Sequence, residues 1–217
     1  MSRDPVRAGT QFFGGRVCLD FANTLDWRTS DRPQELVPDY PALLEWSRRR
    51  GTLPDRAIAR LYERCAREAA AAQAVVAGAH SVRAELWRTS DALRSGKAAD
   101  LAVINRALST LPPQPRLVTL RDGYVHDLPG RDFREPLWPV FWSLTAVLAS
   151  DDATRLGCCQ AEGCGWFFVD ESPNRTRLWC SSEVCGNRER ARRAYAKRRS
   201  ARARVDGSAV TRFRSFK

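Results

Sequence analysis

The chain has 217 residues and a mass of 24.4 kDa; with 43% hydrophobic content and seven tryptophans it is long and apolar enough to bury a core of one or two domains. Its formal net charge of +11 and pI near 10.0 suit an acidic partner such as nucleic acid. The charge is localised: residues 188–217 hold 12 Lys and Arg against Glu189 and Asp206, a balance of +10, while the first 187 residues hold 24 basic and 23 acidic, or +1.

A nearly neutral body with a cationic end suits a polyanion, whether DNA, RNA or anionic lipid. Five of the seven cysteines fall between positions 158 and 185, which reads as metal binding in a reduced, cytoplasmic protein rather than as a disulfide framework. No charged-then-apolar segment opens the chain, and the longest apolar run, 136–149, is too short to span a bilayer, so no membrane is expected.

Residues 1–10 are polar and expected to fray. In 11–25 (QFFGGRVCLDFANTL), Gly14-Gly15 predicts a turn and the alternation of Val17, Leu19 and Phe21 predicts a half-buried strand, with Asn23 and Thr24 placed to cap the next element. Residues 39–50 read as a helix entered at Asp39 and Pro41, with Leu43, Leu44 and Trp46 inward and Gly51 as its stop. The long stretch 54–95 is helical, starting near Pro54 and Asp55, with a break expected near Gly78. A short helix over 99–109 turns Leu101, Ile104 and Leu108 inward and stops at Pro112-Pro113. Two β-type runs, 117–120 and 124–128, flank Arg121-Asp122-Gly123 and predict a hairpin. Residues 135–150 are apolar on nearly every face and read as a buried helix feeding directly into the cysteine region.

Cys159 with Cys164 and Cys180 with Cys185 form two CxxxxC pairs, each able to present two thiolates to one tetrahedral zinc ion. Fifteen residues separate the pairs, which suits a hairpin: a strand at 166–169, a turn at 170–174 and a returning strand at 178–179. Cys158 competes with Cys159 as a ligand, and Cys159 gives the symmetric spacing. Four sulfur ligands leave no position for water, so one structural zinc is expected, with no catalytic residue. The two histidines, His80 and His126, lie far upstream, and His126 reads as a surface residue.

Past Cys185 the chain is expected to be helical to about Arg204, with Val184, Ala191 and Tyr195 forming a narrow packing seam. Arg188, Arg192, Arg193, Lys197, Arg198 and Arg199 are the candidates for phosphate contact, joined by Arg175 and Arg177 from the hairpin. Asn187 is a candidate base reader, although its position favours a helix cap.

The residues Cys159, Cys164-Gly165-Trp166, Phe168, Asp170, Ser172, Asn174, Arg177, Trp179-Cys180-Ser181 and Cys185-Gly186-Asn187-Arg188 resemble the CGNR zinc-finger family of bacteria, and GGRVCLDFANTL resembles the opening motif of the ABATE domain that precedes the finger there. The resemblance implies a stress-related transcriptional regulator in which the finger contacts DNA and the N-terminal domain is a sensor. The arginine pair common before the Trp-Cys step is here Arg177-Leu178, which shifts emphasis from the hairpin to the helix. Arg16, Asp20, Asn23 and Thr24 are polar residues inside an apolar motif, candidates to line a pocket for a small-molecule effector or, alternatively, to satisfy backbone groups at a turn.

The expected fold class is α+β: a helix-rich N-terminal domain over 1–150 with a small β-hairpin, a treble-clef-like zinc finger with a basic helix over 155–204, and a flexible basic tail over 205–217. The expected function is zinc-dependent DNA binding in transcriptional regulation, with an RNA- or ribosome-associated zinc protein as the alternative and an enzyme disfavoured.

Overall fold

A computed structural model describes residues 12–111, 116–120 and 123–212, without the side chains of 120, 125 and 202–212. The N-terminal residues 1–10, the Pro112-Pro113 stop and the Arg121-Asp122 part of the hairpin turn lie outside the described residues.

The opening motif forms a helix, α1 (Val17–Ala22), where alternation predicted a strand. Alternation implies one solvated face, but Cys18, Leu19, Asp20, Phe21 and Ala22 are all buried. Enclosed on every side, the segment gains more from satisfying its own backbone, as in the Asn23 N–H bond to the Leu19 carbonyl at 2.9 Å. A two-residue ladder comes next, β1 (Leu25–Asp26) antiparallel to β2 (Gln34–Glu35). Then comes α2 (Tyr40–Arg50), bounded as its sequence predicts: the Asp39 carboxylate accepts from the Ala42 N–H at 2.8 Å, and Gly51 closes the helix at φ 70°, a left-handed conformation that favours glycine.

The long helical stretch breaks at Glu68 rather than at Gly78, giving α3 (Asp55–Arg67) and α4 (Ala69–Arg94). An unbroken helix of that length would run about 60 Å, too far to stay on one core. The break falls where the inward stripe of α3, Ala57, Ile58 and Leu61, gives way to that of α4, Ala72, Val76, Ala79 and Leu86. Gly78 sits in mid-helix with open space around it, so nothing there forces a turn. In α5 (Leu101–Leu108), capped by Asp100, Ile104 points inward as predicted, whereas Leu101 is 55% exposed. The hairpin is β3 (Leu117–Leu120) with β4 (Gly123–His126), and the Leu120 to Gly123 pairing makes its turn one residue shorter than expected. A 3-10 turn, Glu135–Leu137, leads into α6 (Trp138–Leu148), which buries Pro139, Val140, Leu144 and Val147 and leaves Ala146 exposed, so its burial is less complete than its composition suggested.

The cysteine region joins this body through one short strand. β5 (Leu156–Cys158) pairs antiparallel with β6 (Phe167–Val169), so the hairpin lies across the first cysteine pair and not between the two pairs. Leu178-Trp179 forms no strand; the Leu178 carbonyl instead accepts from the Gln160 N–H at 3.0 Å. Phe167 and Val169 belong to the large core with α1, α2 and α4, while Phe168, on the opposite face, belongs to a small core with the four cysteines and Trp166. One strand thus divides its side chains between two cores, which is why all three residues are buried. Among the described residues, no helix is long and apolar enough to cross a membrane.

Candidate metal centre

The Sγ atoms of Cys159, Cys164, Cys180 and Cys185 all lie within 4.8 Å of one another, and all four residues are buried. Cys164 and Cys180 are 3.8 Å apart and Cys180 and Cys185 3.5 Å apart, far beyond disulfide length. A sulfur tetrahedron around zinc, with Zn–S near 2.3 Å, has edges of about 3.8 Å, so the donor set and its size fit one zinc ion held by four thiolates. Cys158 is excluded: it packs against the large core, and burial pushes its thiol up. The cluster is electrostatically incomplete by itself. Hydrogen bonds from Cys164, Cys180 and Cys185 hold Cys159 low, whereas its neighbours, Cys159 first, and burial push Cys180 well above the ordinary thiol range. A divalent cation removes that conflict by stabilising every thiolate.

The first pair sits on the loop joining β5 to β6. Cys159 N–H donates to the Trp166 carbonyl at 2.8 Å, and Cys164 N–H to the Ala161 carbonyl at 3.0 Å, making a tight knuckle. Gly165 takes φ 65°, and a Cβ there would meet Thr29 Cγ2 at 2.5 Å, so a side chain is excluded both by conformation and by the body pressed against the knuckle. The contact is built by residues that cysteine spacing gives no means of finding. Arg28 Nε donates to the Gly165 carbonyl at 3.1 Å with its guanidinium 4.6 Å above the Phe167 ring, and Thr29 N–H donates to the Gly163 carbonyl.

Of the second pair, Cys180 precedes and Cys185 lies within a wide helical turn, Ser182–Gly186, which Ser181 caps by accepting from the Val184 N–H at 3.1 Å. The segment between the pairs is organised by Asp170, whose carboxylate accepts from Ser172 N–H, Ser172 Oγ–H and Arg177 N–H. Arg177, expected from sequence as a phosphate contact, points inward: its guanidinium donates to the carbonyls of Val169, Trp179, Phe13 and Cys180 and lies 4.2 Å over Phe168. Arg177→Ala is therefore expected to destabilise the finger by about 3 kcal/mol through unpaired buried carbonyls. The check is that its urea midpoint falls while any dependence of nucleic-acid affinity on salt keeps the wild-type slope. Arg175 is exposed at φ 51°, in the turn that Asp170 organises.

From Cys185 the chain passes into α7 (Asn187–Arg212), so the helix continues past 204 into residues expected as tail. The predicted seam is absent, since Ala191 is exposed and Tyr195 is 70% exposed. Among the described residues, α7 is attached to the rest of the finger near its start, through 188–192. Glu189, 2% exposed, accepts from the Glu162 N–H of the knuckle and pairs with Arg192, which also meets Glu162 at 2.7 Å. Arg188 lies 4.2 Å over Trp27 and donates to Cys185 Sγ at 3.6 Å, placing a cation against the thiolate cluster. Asn187 is exposed, and its side-chain oxygen accepts from Arg190 at 2.5 Å. Beyond this, Arg193, Lys197, Arg198 and Arg199 are exposed and take no ion pair among the described residues.

Three of the four polar residues of the opening motif line one cleft: Asp20, Asn23 and Thr24. Arg16 lies elsewhere, paired with Asp152 at 2.6 Å and Glu171 at 2.8 Å. The polar atoms of the three are already engaged. Asp20 accepts from Gly14 N–H and pairs with Arg50, and burial still pushes its carboxyl up. Asn23 donates to the Phe167 carbonyl at 2.9 Å and accepts from the Phe167 N–H at 2.8 Å, joining the body to β6. Thr24 Oγ1 donates to the Phe21 carbonyl and accepts from Arg83. The histidines are remote from the metal ligands: His80 Nε2 lies 2.9 Å from the Val37 carbonyl, and His126, expected at the surface, is half-buried 4.3 Å from the Trp142 ring.

Two family models match the chain. ABATE, described as "Putative stress-induced transcription regulator", matches residues 15–151, and the CGNR zinc finger matches residues 155–198. The two matches meet at the 3-10 turn Asp151–Arg155, immediately before β5. No curated protein matches the chain at a significant level.

Proposed function

The chain belongs to the ABATE family and carries a CGNR zinc finger, and from that premise we propose that it is a cytoplasmic transcriptional regulator that binds DNA through α7, with its N-terminal body as the sensing part. The carrying observation is the state of that helix: every residue of 190–201 is exposed, and Arg193, Lys197, Arg198 and Arg199 are uncommitted among the described residues. An α-helix of that kind fits the major groove, where phosphates flank it on both sides. The metal's role in this reading is placement. The four cysteines would hold zinc as a site of formal charge −2, with the Arg188 guanidinium against Cys185, and the ion would fix the knuckle, while Glu189 and Arg188 set the direction in which α7 leaves the finger. With all four coordination positions occupied by sulfur, the site suits structure and not catalysis.

The test is a salt titration of duplex DNA affinity. Contact with about four phosphates gives a log–log slope near −3.6 on B-DNA, and replacing Arg193, Lys197, Arg198 and Arg199 with Ala should bring the slope close to zero without loss of zinc. Affinity that ignores salt would sink the reading. Structured RNA outcompeting duplex DNA would turn it to an RNA-associated protein instead.

A further inference from the structure

A cleft of about 350 Å³ opens between α3 and the loop after β4, and at roughly 30 Å³ per water molecule it has room for an anion of several groups. Arg60, Glu63, Arg64, Arg67, Gly130 and Arg131 line it, four guanidiniums against one carboxylate. Arg60, Arg64 and Arg67 stand four and then three positions apart on one face of α3, a spacing at which like charges repel. The loop is held in place. Gly130 sits at φ 74° against α3, where a Cβ would meet the Ala57 carbonyl oxygen at 2.7 Å, and the buried Glu135 carboxylate accepts from the N–H groups of Gly130, Arg131 and Asp132. Arg60 donates to the Pro129 carbonyl at 2.9 Å and Arg64 to the Arg131 carbonyl, so two of the guanidiniums are tied to the loop. Arg64 also pairs with Glu68. Arg67 and Arg131 are exposed and take no hydrogen bond or ion pair among the described residues. Attraction to the helix C-terminus accounts for cations in the last turn of α3, Arg64 and Arg67, but not for Arg131, which comes from the loop.

We propose that this cleft binds a small diphosphate, held by Arg67 and Arg131, with Arg60 and Arg64 adding charge beside them. Guanidinium suits the task, because it stays charged and its planar fork matches two phosphate oxygens at once. Two uncommitted forks suit two phosphoryl groups, which favours a diphosphate over a single phosphate or a carboxylate. A small anion also fits better here than a nucleic acid. The first 187 residues sum to only +1, so a duplex is drawn to the +10 end of the chain, while a concave site between a helix and a fixed loop takes a compact ligand. The proposal goes beyond the regulator reading and does not depend on it.

Calorimetric titration of the zinc-loaded full chain with inorganic pyrophosphate, orthophosphate and ADP tests this. The background is the chain with Arg193, Lys197, Arg198 and Arg199 replaced by Ala, which removes four competing cations of α7. Pyrophosphate should bind at least ten-fold more tightly than orthophosphate. Arg67→Ala combined with Arg131→Ala should weaken pyrophosphate at least ten-fold while zinc content and circular dichroism stay unchanged, because neither side chain bonds to anything else among the described residues. Arg67→Lys, which keeps the charge and loses the fork, should weaken it several-fold. ADP at the affinity of pyrophosphate identifies a diphosphate ester as the ligand class, and ADP at least ten-fold weaker identifies the free anion. No binding of pyrophosphate at millimolar concentration, affinity no better than that of orthophosphate, binding unchanged by the double substitution, or displacement of pyrophosphate by duplex DNA would each overturn the proposal. A wild-type chain that binds pyrophosphate but no DNA keeps this site and loses the regulator reading, whereas one that binds DNA but no pyrophosphate loses this site alone.

Discussion

Replacing Cys180 with Ser is expected to reduce bound zinc from one ion per chain to near zero and to unfold the finger. The Cys180 sulfur lies 3.8 Å from Cys164 and 3.5 Å from Cys185, bridging the two pairs, and a serine hydroxyl in its place is neither deprotonated nor soft enough to complete the tetrahedron. Structural zinc supplies roughly 10 to 16 kcal/mol of apparent folding free energy in small fingers, and the core around these sulfurs is too small to substitute for it: Ala161, Trp166 and Phe168 are its other buried members. The damage should spread, because Phe167 and Val169 on the same strand are part of the large core. Both the metal content and the urea midpoint of the whole chain are therefore expected to fall. Cys158→Ser is the control, since that residue packs against the body and should leave zinc at one ion per chain. Full zinc occupancy in Cys180→Ser would remove the four-sulfur assignment.

The metal ligands are legible in the sequence because their signal is local: two pairs at equal spacing need no tertiary information. The same holds for α2, whose Asp39 cap and Gly51 stop are read within one turn of each end. Sequence misleads wherever the answer depends on what lies opposite. Val17, Leu19 and Phe21 alternate as in a strand, yet the residues between them are buried as well, so the pattern has no solvent side to report. Aromatic residues flanking a turn suggest a hairpin between the cysteine pairs, but β6 finds its partner upstream in β5. Arg177 looks like one more surface cation, although its guanidinium donates to three carbonyls of the finger and to that of Phe13. Charge at a position does not tell whether it faces solvent. Over 190–201 of α7 it does, since so little apolar surface is available there that the helix has no face to bury.

Asn23→Leu is expected to destabilise the chain by about 4 kcal/mol, because it leaves both backbone groups of Phe167 buried and unpaired at about 1 to 3 kcal/mol each. The substitution nearly conserves volume, so the loss would report hydrogen bonding rather than packing. Against a typical total of about 5 to 15 kcal/mol, such a loss is large, and its location matters as much as its size. Asn23 closes α1 and Phe167 opens β6, 144 positions apart in the chain, so this pair of bonds fixes the knuckle to the body independently of the metal. Zinc should therefore remain bound in the folded variant while the amides of 156–158 and 167–169 exchange faster with solvent. If the urea midpoint and those exchange rates stay at wild-type values, the remaining contacts, such as those of Trp27, Arg28 and Thr29 and of Val169 N–H with the Gly14 carbonyl, suffice to hold the finger and the Asn23 clamp is dispensable. If zinc is lost together with the clamp, body and finger form one cooperative unit.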